Sequence, residues 1–279
     1  MIRFFILLGF SFLFLHLHAT GSISKYINMK YSYISFITIF VLFFLTIVQL
    51  YFYIKGDKET EDGCDCGCDH HHHHKKTWKD YVMLPVLIFP IFSVLCLPVA
   101  TLDSNIVKAK GFNFNVYNDK DTSAIHEFLQ PDSSVYYGTD GYDELMGKSK
   151  KKFSKLGNNV ALSDENWLQG METIYRFPGD FMGKTVSFRG FAYNEKNLAA
   201  NQLFIFRFGI IHCVADSGVF GMLVEFPKAV HYHNDDWLQV TGTLTSEYYQ
   251  PFKKTIPVLK VEKVKQIPVP KDQYVYRNY

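Results

Sequence analysis

Three stretches of this chain carry no Asp, Glu, Lys or Arg, and they constrain what its N-terminal part can become. They lie between Arg3 and Lys25, between Lys30 and Lys55, and between Asp80 and Asp103. Each is roughly twenty residues long, and a helix of that length is about 30 Å, enough to cross the hydrocarbon of a bilayer. The second, 31–54, is dense in Phe, Ile and Leu. The third, 81–102, contains Pro85, Pro90 and Pro98. Proline is tolerated in a membrane helix when neighbours satisfy the carbonyls it frees, so this helix is expected to kink and to pack on others. Residues 1–102 are therefore expected to form an α-helical membrane region of three spans. His16 and His18 fall at the end of the first span; they are either ligands in a pathway or, as is commoner at a span end, interfacial imidazoles. Leu17-His18-Ala19 is a poor small-x-small cleavage site, so the first span is expected to stay uncleaved.

The second and third stretches flank a polar loop, 55–80, that holds Cys64, Cys66 and Cys68 followed by His70, His71, His72, His73 and His74. On extended backbone, alternate residues share a face, so the three thiols can converge on one ion. Thiolate and imidazole suit a transition metal, zinc first, with copper or nickel also fitting. The spacing is not the Cys-x-x-Cys of a closed structural zinc site, and a loop that captures or buffers metal is expected instead. The alternative is a hydrophilic spacer of low complexity. Lys55, Lys58, Lys75, Lys76 and Lys79 lie on the same side as Arg3, against Lys25, Lys30, Lys108 and Lys110 on the other. By the positive-inside rule the loop is cytoplasmic and the C-terminal domain extracytoplasmic. Reduced thiols suit the cytosol, and the five cysteines form no disulfide framework.

After the third stretch the composition becomes that of a soluble domain. Residues 103–183 read as a polar linker, to about Gly111, and then a mixed α/β segment. The run Lys148, Lys150, Lys151, Lys152 and Lys155 is either a solvated face or a contact for anionic lipid headgroups. Ser163, followed by Asp164 and Glu165, predicts a helix capped at Ser163 and running to about Tyr175. Residues 177–180 read as a turn. From Lys184 the period changes to that of strands, predicted at 184–193, 203–214, 220–226, 238–245 and 256–264. Five short strands without a helical crossover predict a mostly β, OB-like small barrel over 184–279. The formal net charge is only +2, and the strands lack a basic-aromatic stripe, so nucleic acid is not an expected partner.

A second group of candidate ligands lies in this half: His212, Cys213 and Asp216, with His231 and His233 from a later loop. Adjacent strand residues face opposite ways, so His212 and Cys213 could ligate together only across a bulge. Alternatively Cys213 is a small core residue, and Asp216 is a turn residue before Gly218 that bonds its own backbone, with Arg207 as its structural partner. Cysteine with His and Asp also supplies the residue types of nucleophilic catalysis. Neighbours on a strand make a poor nucleophile and base, however, and no enzymatic activity is expected.

Gly21-Ser-Ile-Ser-Lys-Tyr-Ile-Asn28, Arg207-Phe-Gly-Ile-Ile-His-Cys-Val-Ala-Asp216 and Gly221-Met-Leu-Val224, with the His-rich loop, carry a resemblance. Over nearly its whole length the chain resembles the YcgQ-like family of bacterial membrane proteins. In that family the later motif often reads Arg…Cys-Cys-x-Ala-Asp, and His212 stands here at the first cysteine position. The substitution weakens a disulfide or dithiol role and leaves metal ligation open. The resemblance implies an accessory subunit of a permease, commonly encoded beside a larger multi-span permease. The expected partners are therefore that permease, membrane lipid and a second copy of the chain, since three spans are few for a self-contained transporter. A membrane-tethered metal sensor or buffer without a transport partner is the alternative.

Overall fold

The computed structural model describes residues 2–58, 78–97, 101–110 and 134–278. The Cys/His tract 64–74 and Pro98 lie outside them. The chain divides into two compact units, Met1–Thr101 and Leu102–Tyr279.

The first unit is helical: α1 is Ile2–Ala19, α2 Ser32–Lys58 and α3 Trp78–Cys96. Among the described residues, two helices, over Ile2–Ala19 and Met29–Lys55, are long and apolar enough to cross a membrane. Their surfaces are greasy all round. Phe36, Phe40, Phe43, Phe44 and Phe52 of α2 are all about half exposed or more. Such a surface is stable against lipid and costly against water. In α3 the described apolar run, Leu84–Cys96, is shorter than a crossing needs, and the helix carries Pro85 and Pro90 in its interior as expected. Leu13, Leu17 and Ile23 form a small core, with Val94 of α3 packed against it. Polar contacts add to it. The Ser11 hydroxyl donates to the Ile39 carbonyl at 3.2 Å, and His18 Nε2 lies 2.9 Å from Ser35 Oγ. His18 thus joins α1 to α2, a role the sequence alone did not suggest. Gly9 lets α3 approach, since a Cβ there would sit 2.9 Å from Ile91 Cδ1.

In the second unit the expected linker is instead a short helix, α4, Ser104–Lys110. Asp103 caps it, accepting from Asn105 N at 3.0 Å, and Val107 is fully buried, which anchors the turn. Helix α5 is Ser134–Ser154; its Met146, Ser149 and Phe153 are buried on one face. Strand β1 is Asn159–Ala161 and α6 is Trp167–Arg176. The predicted start at Ser163 is therefore wrong: the N-cap position is Asn166, and Asp164 and Glu165 precede the helix. Nine successive residues of α6, Trp167 to Tyr175, are buried, so its polar groups need internal partners. Gln169 donates to Ser149 Oγ and accepts from Lys152 Nζ, both at 2.8 Å. Thr173 donates to the Gln169 carbonyl at 2.6 Å, and Glu172 pairs with Arg277.

The strands follow the predicted runs closely: β2 Thr185–Tyr193, β3 Gln202–Ile210, β4 Gly218–Glu225, β5 Trp237–Tyr249 and β6 Lys254–Gln266. A seventh, β7 Tyr274–Tyr276, joins β3 in parallel. The sheet runs β1-β2-β5-β6-β4-β3-β7, and β2 also pairs with β3, so β2, β5, β6, β4 and β3 each have two partners in a closed circuit. Only β4–β6 within that circuit is parallel. Strand β2 changes partner along its length: residues 185–187 pair with β1 and 191–193 with β3. Between Thr241 and Gly242 of β5 the register shifts, so that Glu262 is the extra, bulged residue of β6, and a Cβ on Gly242 would lie 2.0 Å from the Lys260 carbonyl oxygen. Phe188, Phe204, Phe206, Phe208, Val240, Val258 and Leu259 fill the interior together with Trp167, Leu168 and Met171 of α6.

Candidate functional site

Strand β3 is buried along nearly all of its length, yet it carries Arg207, whose side chain is 0% exposed. A buried guanidinium requires acceptors on several sides, and the fold supplies them from two distant segments. Nη1 donates to Asp164 Oδ1 at 2.5 Å. Nη2 donates to the carbonyls of Asp272 at 2.9 Å and Tyr274 at 3.1 Å, and Nε reaches that of Gln273 at 3.4 Å. One arginine thereby fastens the C-terminal strand and the loop before α6 to β3. Its Cζ also lies 5.5 Å from the Trp237 ring centre.

Asp164 is shared. Arg189, on β2, binds the same carboxylate side-on, Nε to Oδ1 at 2.8 Å and Nη2 to Oδ2. The Arg189 carbonyl in turn accepts from Trp167 Nε1 at 2.9 Å, which ties β2 to the first residue of α6. Desolvation opposes the charged form of Asp164, but its hydrogen bonds and charge contacts with Arg189 and Arg207 outweigh that and hold its pKa below the ordinary aspartate value. Burial pulls Arg207 down from the ordinary arginine value, against the opposing effect of Asp164. The hydrogen bond to Asp164 raises Arg189.

Beside this cluster lies a cleft of ≈ 570 Å³ lined by Ser163, Asp164, Glu165, Ser187, Arg189 and Gln239, among others. Strand geometry explains the lining. Val186, Phe188 and Gly190 face the core, so Ser187 and Arg189 face outward. Arg189 stands opposite Gln239 on β5, and Ser187 opposite Thr241. The loop 161–165 forms the other wall. The lining thus offers hydroxyl, amide, guanidinium and carboxylate groups together.

The sequence-nominated residues fare differently. Cys64, Cys66, Cys68 and His70 to His74 lie outside the described residues. His212 and Asp216 do come together: Asp216 Oδ2 lies 2.8 Å from His212 Nδ1. The same carboxylate accepts from the backbone of His212 at 3.0 Å and of Cys213 at 2.9 Å. Those bonds fold the chain into a turn over Val214–Asp216 and end β3 at Ile210, short of the predicted Val214. Asp216 is thus a turn residue, as one reading held, but its side-chain partner is His212; Arg207 is committed to Asp164. His231 and His233 are exposed on the loop after β4, with His233 Nδ1 3.8 Å from Asp236. Among the described residues, no three His, Cys, Asp or Glu side chains form a group able to hold a metal ion.

Asp164, Arg189 and Glu172 were not singled out in the sequence. One signal was legible: Arg207 stands in the otherwise apolar run 203–211, and a cation there demands a partner. The identity of that partner was not, because Asp164 and Glu165 look like first-turn helix acids.

Residues 2–113 match the DUF1980 N-terminal domain and residues 136–277 the DUF1980 C-terminal domain. The chain is 49% identical over the full length of both chains to "UPF0703 protein YcgQ" of Bacillus subtilis (strain 168). It is 37% identical, again over the full length of both, to a Streptococcus mutans protein named "Putative two-component membrane permease complex subunit". With both of its units matched and its relatives aligned end to end, this chain belongs to the DUF1980 family, the family of YcgQ.

Proposed function

We propose that the chain is an accessory subunit of a membrane permease complex. The observation that carries this reading is the end-to-end likeness to a relative named as such a subunit. The half-exposed phenylalanines of α2 agree with it, since they call for a lipid or protein cover. In this reading α3 makes a third crossing, with the tract 64–74 in the cytoplasm and the second unit outside. The lysine distribution supports that orientation. The closed circuit of five paired strands, with its single parallel pair, supports an OB-like small barrel as the architecture of the outer unit. The loop residues Cys64, Cys66, Cys68 and His70 to His74 bind a transition metal, zinc first. The chain is a binding and assembly partner rather than an enzyme.

Affinity purification of the full chain from its native membrane, in mild detergent, tests this. A multi-span permease should come down in stoichiometric amount, and its absence overturns the reading. The dense Cys/His tract favours one second reading, a membrane-tethered metal sensor or buffer. In that case the protein purifies without a permease and carries metal.

A further inference from the structure

In the Arg207–Asp164–Arg189 cluster two guanidiniums share one bonded carboxylate; Arg207, which also feels the charge of Asp272, is wholly buried, while Asp164 and Arg189 are each 37% exposed. The cation of the cluster that is open to the cleft is therefore Arg189. Arg189 engages Asp164 through Nε and Nη2, so Nη1 remains on the opposite edge with two N–H donors. Around it stand the hydroxyls of Ser163 and Ser187 and the amide of Gln239. Ser187 already accepts from Thr241 Oγ1 at 2.9 Å, which leaves its own O–H to donate. Glu165, exposed, is the one carboxylate of the cleft outside the cluster.

We propose that this cleft binds a small oxyanion, a carboxylate or phosphoryl group, on the outer edge of Arg189, with the Ser163 and Ser187 hydroxyls and the Gln239 amide as further donors. Asp164 positions Arg189 by holding its inner edge. The anion would pair with a guanidinium that Asp164 already holds in place, so binding requires little reorganisation. Glu165 disfavours negative charge beyond that of the bound group, so the group is carried on a neutral or cationic body. The proposal concerns this chain alone and stands whether or not it partners a permease.

The test is titration of the full chain in neutral detergent with inorganic phosphate and, separately, with acetate. Ionic strength is held constant with sodium chloride. Tryptophan fluorescence is the readout, because Trp167 is bonded to the Arg189 carbonyl. Saturable binding of at least one anion is expected; phosphate alone assigns a phosphoryl ligand and acetate alone a carboxylate. Arg189→Gln should abolish it. Gln239→Glu sits on an exposed side chain outside the Asp164 network, so it leaves folding intact. The added charge should weaken binding roughly tenfold. No saturable response beyond that to chloride, or wild-type affinity in Gln239→Glu, overturns the proposal.

Discussion

Arg207 reaches Asp164 across 43 residues of sequence, and through that one bond the interior of the sheet is linked to the loop that precedes α6. The same guanidinium holds three successive carbonyls of the C-terminal segment, from Asp272 to Tyr274. A fully buried cation in a strand is therefore the junction of three chain segments that are far apart in sequence. Its stability depends on a carboxylate that is itself partly in water.

Replacing Asp164 by Asn should expose that dependence. The substitution keeps the shape but removes the carboxylate charge to which buried Arg207 is bonded. Removing one partner of a buried pair costs about 3–5 kcal/mol, and the partial exposure of Asp164 reduces this to about 2 kcal/mol. Chemical denaturation of the full chain in neutral detergent, followed by tryptophan fluorescence, should show a lowered midpoint. An unchanged midpoint would mean that the backbone carbonyls alone satisfy Arg207.

The pH dependence follows from the direction of the Asp164 shift. Its pKa is lower in the folded chain than the roughly 3.9 of an unfolded aspartate. The associated stabilisation is complete at neutral pH, begins to fade as the pH approaches about 4, and is gone below the folded value. Between pH 7 and pH 3 the wild-type chain should lose more thermal stability than Asp164→Asn, which has no group to titrate there. Parallel curves for the two proteins would contradict the linkage.

Glu172 and Arg277 form a second buried pair, with side chains 4% and 1% exposed. It joins the centre of α6 to the residue after β7. Glu172→Leu alone should destabilise the chain by about 3 kcal/mol, and Arg277→Met alone by a similar amount. The double variant Glu172→Leu with Arg277→Met should recover much of that loss, because two apolar side chains leave no orphan charge. A double-mutant cycle on thermal midpoints measures the coupling, and strictly additive effects would show that the pair does not act as a unit.

The Cys/His tract makes a separate prediction. The full chain should bind zinc or copper(I) with release of protons, because thiolate and neutral imidazole are the ligating forms. Replacing Cys64, Cys66 and Cys68 by Ser should weaken copper(I) more than nickel, since thiolate is the softer ligand. Binding should fall below about pH 6, where imidazoles of ordinary pKa are protonated. Equal metal uptake by a chain with every Cys and His of the tract replaced would reduce the loop to a spacer.

The two compositional halves and the strand plan are legible in the sequence. Charge-free runs announce helices for an apolar medium, and alternation of β-branched and aromatic residues announces strands. Both are local patterns that survive whatever the chain packs against. That is why the run 184–193 was legible and became Thr185–Tyr193. Strands β1 and β7, three residues each, are too short to carry a period, and they exist because β2 and β3 offer open edges to them. The start of α6 was misread for a related reason. Ser163-Asp164-Glu165 has the composition of a helix cap, but two arginines from β2 and β3 claim the Asp164 carboxylate, and the helix begins only at Trp167. Which cation meets which carboxylate depends on strand pairing between residues far apart in sequence. Only the tertiary structure could decide that, because an isolated buried charge costs too much to exist, and the fold must bring its partner from wherever the chain has one.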